Sequence, residues 1–251
     1  MNKFFKVASA ATLVVFGAQA HAEVLIDDFS VTQVLTVAGG ATGANTVGTG
    51  SASDALHMIG GYRDIFIDNT AASSDAKAKV WFNPNTPLEG NGNELKFSVD
   101  TGDKSIARIT WDGDATSGNF GNSLNKSFAG LAGLAFDVTS DGGLGGAKIV
   151  EIAIQDVSGK LSYVDFQAFA TVDPLHDDYI HATFDFASEF TTDLGFDWAH
   201  IGGVQAIVNL DGSTKSLDFA LRTVSVVPEP GSLALAGLAL LGVGLSRRRK
   251  V

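Results

Sequence analysis

The chain has no cysteine, only two methionines and five prolines, and charged side chains on just 18% of its 251 residues. Without cysteine there is no disulfide, no thiol nucleophile, no Fe–S cluster and no thiolate zinc site. No HExxH or GxSxG occurs, so neither a helical zinc site nor a hydrolase elbow has its sequence basis. No apolar run reaches the roughly 20 residues that span a bilayer comfortably. What is abundant is apolar mass and glycine: 45% hydrophobic residues, 9% aromatic, and 29 glycines. That is enough to build a sizeable core and excludes disorder of the whole chain.

Charge is lopsided. Six of the 17 basic residues stand at the extreme ends, so residues 23–226 carry 11 Lys and Arg against 27 Asp and Glu, a net of −16. Such a body repels phosphate backbones and anionic lipid, which makes nucleic acid an unsuitable partner. Calcium, cationic surfaces and neutral polysaccharide suit it better, and solubility of an exported protein is the simplest reading.

Both ends carry addresses. Residues 1–22 run from basic Lys3 and Lys6 through apolar Val7 to Ala18 to Ala20-His21-Ala22. This is the order of a signal peptide, expected as a short helix, with signal peptidase acting before Glu23. At the other end, Val227-Pro228-Glu229-Pro230 precedes an apolar Leu/Ala/Gly run, Leu233 to Leu245, and then Arg247-Arg248-Arg249-Lys250. Two prolines spaced by one residue are not expected to continue a strand, since each lacks the backbone donor. The 13-residue run would reach roughly 20 Å as a helix, a marginal transmembrane span helped by snorkelling arginines. The basic cluster belongs on the cytoplasmic side as a membrane stop, leaving the body outside.

The extended motif, the marginal helix and the basic stop together resemble the PEP-CTERM sorting signal of Gram-negative bacteria, also labelled ice-binding protein C-terminal domain. The resemblance implies a substrate of an exosortase, a membrane-embedded transpeptidase, which recognises Pro228-Glu229-Pro230. It implies an association with exopolysaccharide or biofilm and no ice binding. Three segments follow: signal peptide 1–22, a body 23–226, and a sorting signal 227–251. The expected route crosses the inner membrane, pauses at a membrane anchor, and ends at the cell surface or outside it.

Within the body, apolar residues alternate with period two in Leu95-Phe97-Val99, Leu134-Phe136-Val138, Ile180-Ala182-Phe184-Phe186, Val204-Ala206-Val208-Leu210 and Leu217-Phe219-Leu221. Denser runs at Val80 to Phe82, Ile149 to Ile154 and Leu161 to Ala170 suggest strands covered on both faces. Gly, Asn and Asp clusters punctuate them. About ten short strands predict an all-β fold, an antiparallel β-sandwich. Asp27-Asp28-Phe29, Gly60-Gly61-Tyr62-Arg63-Asp64-Ile65 and Phe196-Asp197-Trp198 resemble in layout the galactose-binding-like jelly rolls. That family often holds a structural calcium through an Asp-Asn pair in its last strand. Leu221-Arg222-Thr223-Val224 stands there instead. The glycine-rich Ala38 to Ser53 has no GxGxxG and reads as a loop.

Candidate chemistry is sparse. His57, His176, His181 and His200 survive signal removal, and only His176 and His181 lie close, on opposite faces of a strand. Asp112-Gly113-Asp114 has the oxygen ligands of a calcium loop but lacks a third acidic ligand and an EF-hand Glu, so a polar hairpin turn is favoured. Trp81, Trp111 and Trp198, with Tyr62, Tyr163 and Tyr179, could stack on sugar rings, although core packing is the commoner use of each. No catalytic residue, cofactor or metal ligand stands out. The favoured reading is a non-catalytic, surface-directed protein associated with polysaccharide. The alternative is a secreted hydrolase using a carboxylate pair.

Overall fold

Alternation of apolar and polar side chains places one set on each face of an extended strand, and burial of the apolar set pairs two sheets face to face. A computed structural model describes residues 23–82, 93–100, 103–115, 120–140, 150–166, 180–209 and 217–228. Among these, the strands are β1 (Val24–Asp27), β2 (Gln33–Val37), β3 (Thr42–Gly48), β4 (Tyr62–Asp68), β5 (Ala76–Phe82), β6 (Asn93–Val99), β7 (Ile106–Trp111), β8 (Leu131–Ser140), β9 (Val150–Asp156), β10 (Leu161–Phe166), β11 (Ile180–Asp185), β12 (Thr191–Thr192), β13 (Ile201–Val208) and β14 (Asp218–Pro228). Two short 3₁₀ turns, Asp54–Leu56 and Ile59–Gly61, are the helical elements described.

The strands form an antiparallel sandwich, as the alternation predicts. One sheet runs β11-β8-β14-β6-β5-β2, with β1 also paired to β14; the other runs β12-β10-β9-β13-β7-β4-β3. The core lies between Leu95, Phe97, Phe136, Val138, Phe219 and Leu221 of the first sheet and Ile65, Ile109, Ile152, Ile154, Val204 and Ala206 of the second, all buried. Each of these side chains larger than alanine contributes roughly 1.5–3 kcal/mol of transfer free energy.

Three strands differ from the reading of their sequences. β3 (Thr42–Gly48) lies within the glycine-rich Ala38 to Ser53 that reads as a loop, and it pairs with β4 along its whole length as an outer strand of its sheet. β13 is buried along its whole length on both faces, although Val204-Ala206-Val208 suggested one. It is central in its sheet, and a Cβ added at Gly203 would come within 2.9 Å of the Phe120 ring, so the neighbouring segment covers its outer side. β14 continues through Val227 to Pro228, which pairs with Leu131 after a shift of register. A proline is tolerated there because the last residue of a strand can do without a ladder donor. The compact unit that holds the sandwich spans Ala22–Glu229. The expected signal helix and C-terminal membrane helix lie outside the described residues, and among the described ones no helix is long and apolar enough to cross a membrane.

Candidate functional site

Alternation and register together decide which side chains share a surface. In the second sheet the row Asn45, Ile65, Ile109, Ala206, Ile152, Val164 faces the core, so the residues next along each strand face outward. One outward row joins Thr46, Asp64, Thr110, Gln205, Ala153 and Tyr163 across β3, β4, β7, β13, β9 and β10. The adjacent row joins Ala44, Phe66, Arg108, Ile207, Glu151 and Asp165. Gln205 donates from Nε2 to the Thr110 hydroxyl at 2.8 Å. The Arg108 guanidinium lies over the Phe66 ring, 5.3 Å from its centroid, which stiffens both side chains and leaves their edges half-exposed. Glu151 and Asp165 stand directly opposite one another. Asp64, Thr110, Gln205, Ala153 and Ile207 of these rows are buried, so the face leaves Thr46, Phe66, Arg108, Glu151, Tyr163 and Asp165 half-exposed and Ala44 exposed at its edge.

On the core side of the same sheet lies a buried ionic cluster. Arg63 donates from Nη1 to both Asp27 oxygens, at 3.0 and 2.8 Å, and from Nε to Gln33 Oε1 at 2.8 Å. Trp111 donates its indole N–H to Asp27 at 2.7 Å, and the Phe29 amide does so at 2.7 Å. Asp27 and Arg63 are both fully buried. These groups hold β1, β4 and β7 together and face away from solvent, so the cluster is structural.

Asp64 is different. It is 2% exposed, and no hydrogen bond reaches either carboxylate oxygen. Burial pushes its carboxyl up to about 6, and the charges of Asp112 and Asp114 add to the rise. A carboxyl raised in the folded state supports folding below its unfolded value and loses that support as pH rises through about 6. At neutral pH Asp64 therefore opposes folding by about 3 kcal/mol, the shift converted at 1.36 kcal/mol per unit. In metal-free buffer, Asp64→Asn should raise the denaturant midpoint at pH 7.5 and flatten stability between pH 4 and 7. An unchanged pH profile would show that the carboxylate is solvated.

The residues singled out from sequence fall in different places. Trp111 is fully buried, with its indole N–H held by Asp27, and so offers no face to a sugar; strand alternation turns it into the core. Trp198 is half-buried against Phe186 and Phe196, with centroids 4.4 and 4.6 Å away. Trp81 lies in β5, its side chain outside the described residues. Tyr62 and Tyr163 are half-buried. Each described histidine bonds its own aspartate at 2.8 Å, His57 to Asp28, His181 to Asp137 and His200 to Asp197. Asp112 accepts the amides of Asp114 at 3.2 Å and Gly121 at 2.8 Å, and Gly113 takes a positive φ of 76°. This organises a bend rather than the expected hairpin turn, because the next strand, β8, lies in the other sheet. Arg222 is buried in β14. Of the terminal sites, Glu23 is exposed ahead of β1 and Val227 and Pro228 close β14. Ala20, Ala22, Glu229, Pro230, Arg247, Arg248, Arg249, Lys250 and also His176 and Tyr179 lie outside the described residues.

The chain carries a PEP-CTERM protein-sorting motif, which matches at residues 226–250. Among curated proteins none matches the chain. Several solved structures are distantly similar. A family 11 carbohydrate-binding module from Clostridium thermocellum, in complex with a β-1,3-1,4-mixed-linked tetrasaccharide, is 11% identical, with 82% of this chain and 95% of that one covered and a TM-score of 0.41. A family 30 carbohydrate-binding module is 14% identical, with 83% and 100% covered and a TM-score of 0.45. A β-1,2-glucanase from Parabacteroides distasonis is 12% identical, with 83% of this chain and 25% of that one covered and a TM-score of 0.42.

Proposed function

We propose that this is an exported, surface-directed protein whose sandwich binds polysaccharide through the outer face of the second sheet, without catalysing its breakdown. The tail directs it through an exosortase, by way of the membrane and after signal peptidase has acted, to an extracellular matrix of polysaccharide. The observation that supports binding is the pair of outward rows. Half-buried Tyr163 and the Phe66–Arg108 stack give flat contacts, while half-buried Glu151 and the Arg108 guanidinium give an acceptor and donors suited to sugar hydroxyls. The surplus of carboxylates on this face favours neutral over anionic chains.

Affinity electrophoresis of the full chain in mild detergent, on gels holding soluble neutral or acidic polysaccharides, tests this. Retardation should occur with a neutral polymer, and Tyr163→Ala or Arg108→Ala should weaken it roughly tenfold, the equivalent of about 1.4 kcal/mol. Retardation unaltered by both variants would place binding elsewhere. A second reading, hydrolysis, rests on Glu151 and Asp165, which face each other directly across β9 and β10. Opposed residues on neighbouring strands have Cβ atoms about 5 Å apart, which puts both carboxyl groups within reach of one bound sugar. Release of reducing sugar that is lost in Glu151→Gln would favour it.

A further inference from the structure

A buried carboxylate with no donor is costly unless something absent from the polypeptide neutralises it. Asp64 is in this position, and the groups around it are oxygens. Thr46 stands directly opposite on β3, and its hydroxyl turns its proton, weakly, to the Ala115 carbonyl at 3.5 Å. This ties the Ala115 carbonyl to the side chain that is the cross-strand neighbour of Asp64. Asp112 and Asp114 lie close enough for their charges to be felt at Asp64. The two arginines nearest in sequence and register among the described residues are engaged elsewhere. Arg63, the next residue, points to the opposite face and is taken up by Asp27, and Arg108 lies over Phe66.

We infer that Asp64, the Thr46 hydroxyl and the Ala115 carbonyl hold a calcium ion between the β3–β4 pair and the segment that follows β7. Calcium takes six to eight oxygens from carboxylates, carbonyls, hydroxyls and water in flexible geometry. Magnesium demands a near-ideal octahedron and gives up its water reluctantly. No three acidic or imidazole groups among the described residues converge on one metal position. The set is therefore one carboxylate with neutral oxygens and water, which points to the weak affinity of extracellular modules, half-saturated at about 0.1–1 mM. Occupancy would neutralise Asp64 and pin residues 112–115 onto the end of the outer face. The inference stands on Asp64 alone and is independent of polysaccharide binding.

The test is thermal unfolding of the full chain, stripped with chelator, in mild detergent with 150 mM sodium chloride to screen general charge effects. Calcium chloride should raise the melting temperature saturably, with its midpoint in that range, and equal magnesium chloride should not. Asp64→Asn, nearly the same shape and uncharged, should melt no lower than wild type in chelator and should lose the calcium response. Thr46→Val, which leaves the carboxylate in place, should move the midpoint several-fold higher. A rise that magnesium matches, a rise that does not saturate, or an Asp64→Asn variant that still responds would each overturn the site.

Discussion

Arg63→Met should lower the unfolding free energy by about 3–5 kcal/mol, the usual cost of removing one partner from a buried ion pair. For a domain of this size that corresponds to a fall in melting temperature of roughly 6–20 °C. The reason lies in what the substitution leaves behind. Asp27 keeps the Trp111 and Phe29 donors, but its charge no longer has a counterion in a fully buried site. Gln33 also loses its partner, and its side chain bridges to the Asn45 carbonyl at 2.8 Å, so the damage reaches β3. Arg63→Lys should recover little, because an ammonium cannot reach both Asp27 oxygens and Gln33 together. Asp27→Asn combined with Arg63→Met should be less destabilised than Arg63→Met alone, since no unpaired charge remains and the Trp111 N–H still has an acceptor. Denaturant titration of the three variants measures this. Equal losses in the single and double variants would show that the cluster acts by packing rather than by charge.

That cluster also marks the boundary of what could be read from residues alone. Alternation is a local signal, and the strands it marks, such as Leu95-Phe97-Val99 in β6 and Leu134-Phe136-Val138 in β8, form where expected. The motifs Asp27-Asp28-Phe29 and Gly60 to Ile65 drew notice separately, yet the contact that joins them spans 36 residues of chain. Nothing in local pattern reports such a contact. The outer face depends on the same missing knowledge. Thr46, Asp64, Thr110 and Gln205 become neighbours only through the registers of three strand pairs, and a shift of one residue in any pair would turn one of them inward. Trp111 shows the reverse case. Its apolar neighbours favoured core packing over stacking on sugar, and it is fully buried beside Ala107 and Ile109. Pro228 was misleading, because the rule against proline in strands weakens at a strand's last residue.

Replacing Pro228, Glu229 and Pro230 together by alanine should leave membrane insertion intact and stop processing, so that full-length precursor accumulates in the inner membrane. The apolar run and Arg247 to Lys250 are untouched by this change, and they are the parts that engage the bilayer and fix topology. The prolines hold the backbone extended at fixed φ, the form in which an enzyme can grip a short peptide. The structure sharpens the experiment. Val226 is fully buried and paired with Val24, and Pro228 is paired with Leu131, so the motif starts at the end of a folded strand with no spacer before it. An epitope tag placed just before Val227 would break β14. The turn at Ser158-Gly159 is the better place, because Gly159 has a φ of 87° and open space around it. With the tag there, a blot of fractionated cells should show the alanine variant larger than wild type and confined to the inner membrane. Removing Arg247 to Lys250 should instead yield precursor that inserts poorly or escapes. An alanine variant of wild-type size in the wild-type location would reduce Pro228 to Pro230 to a linker and end the sorting reading.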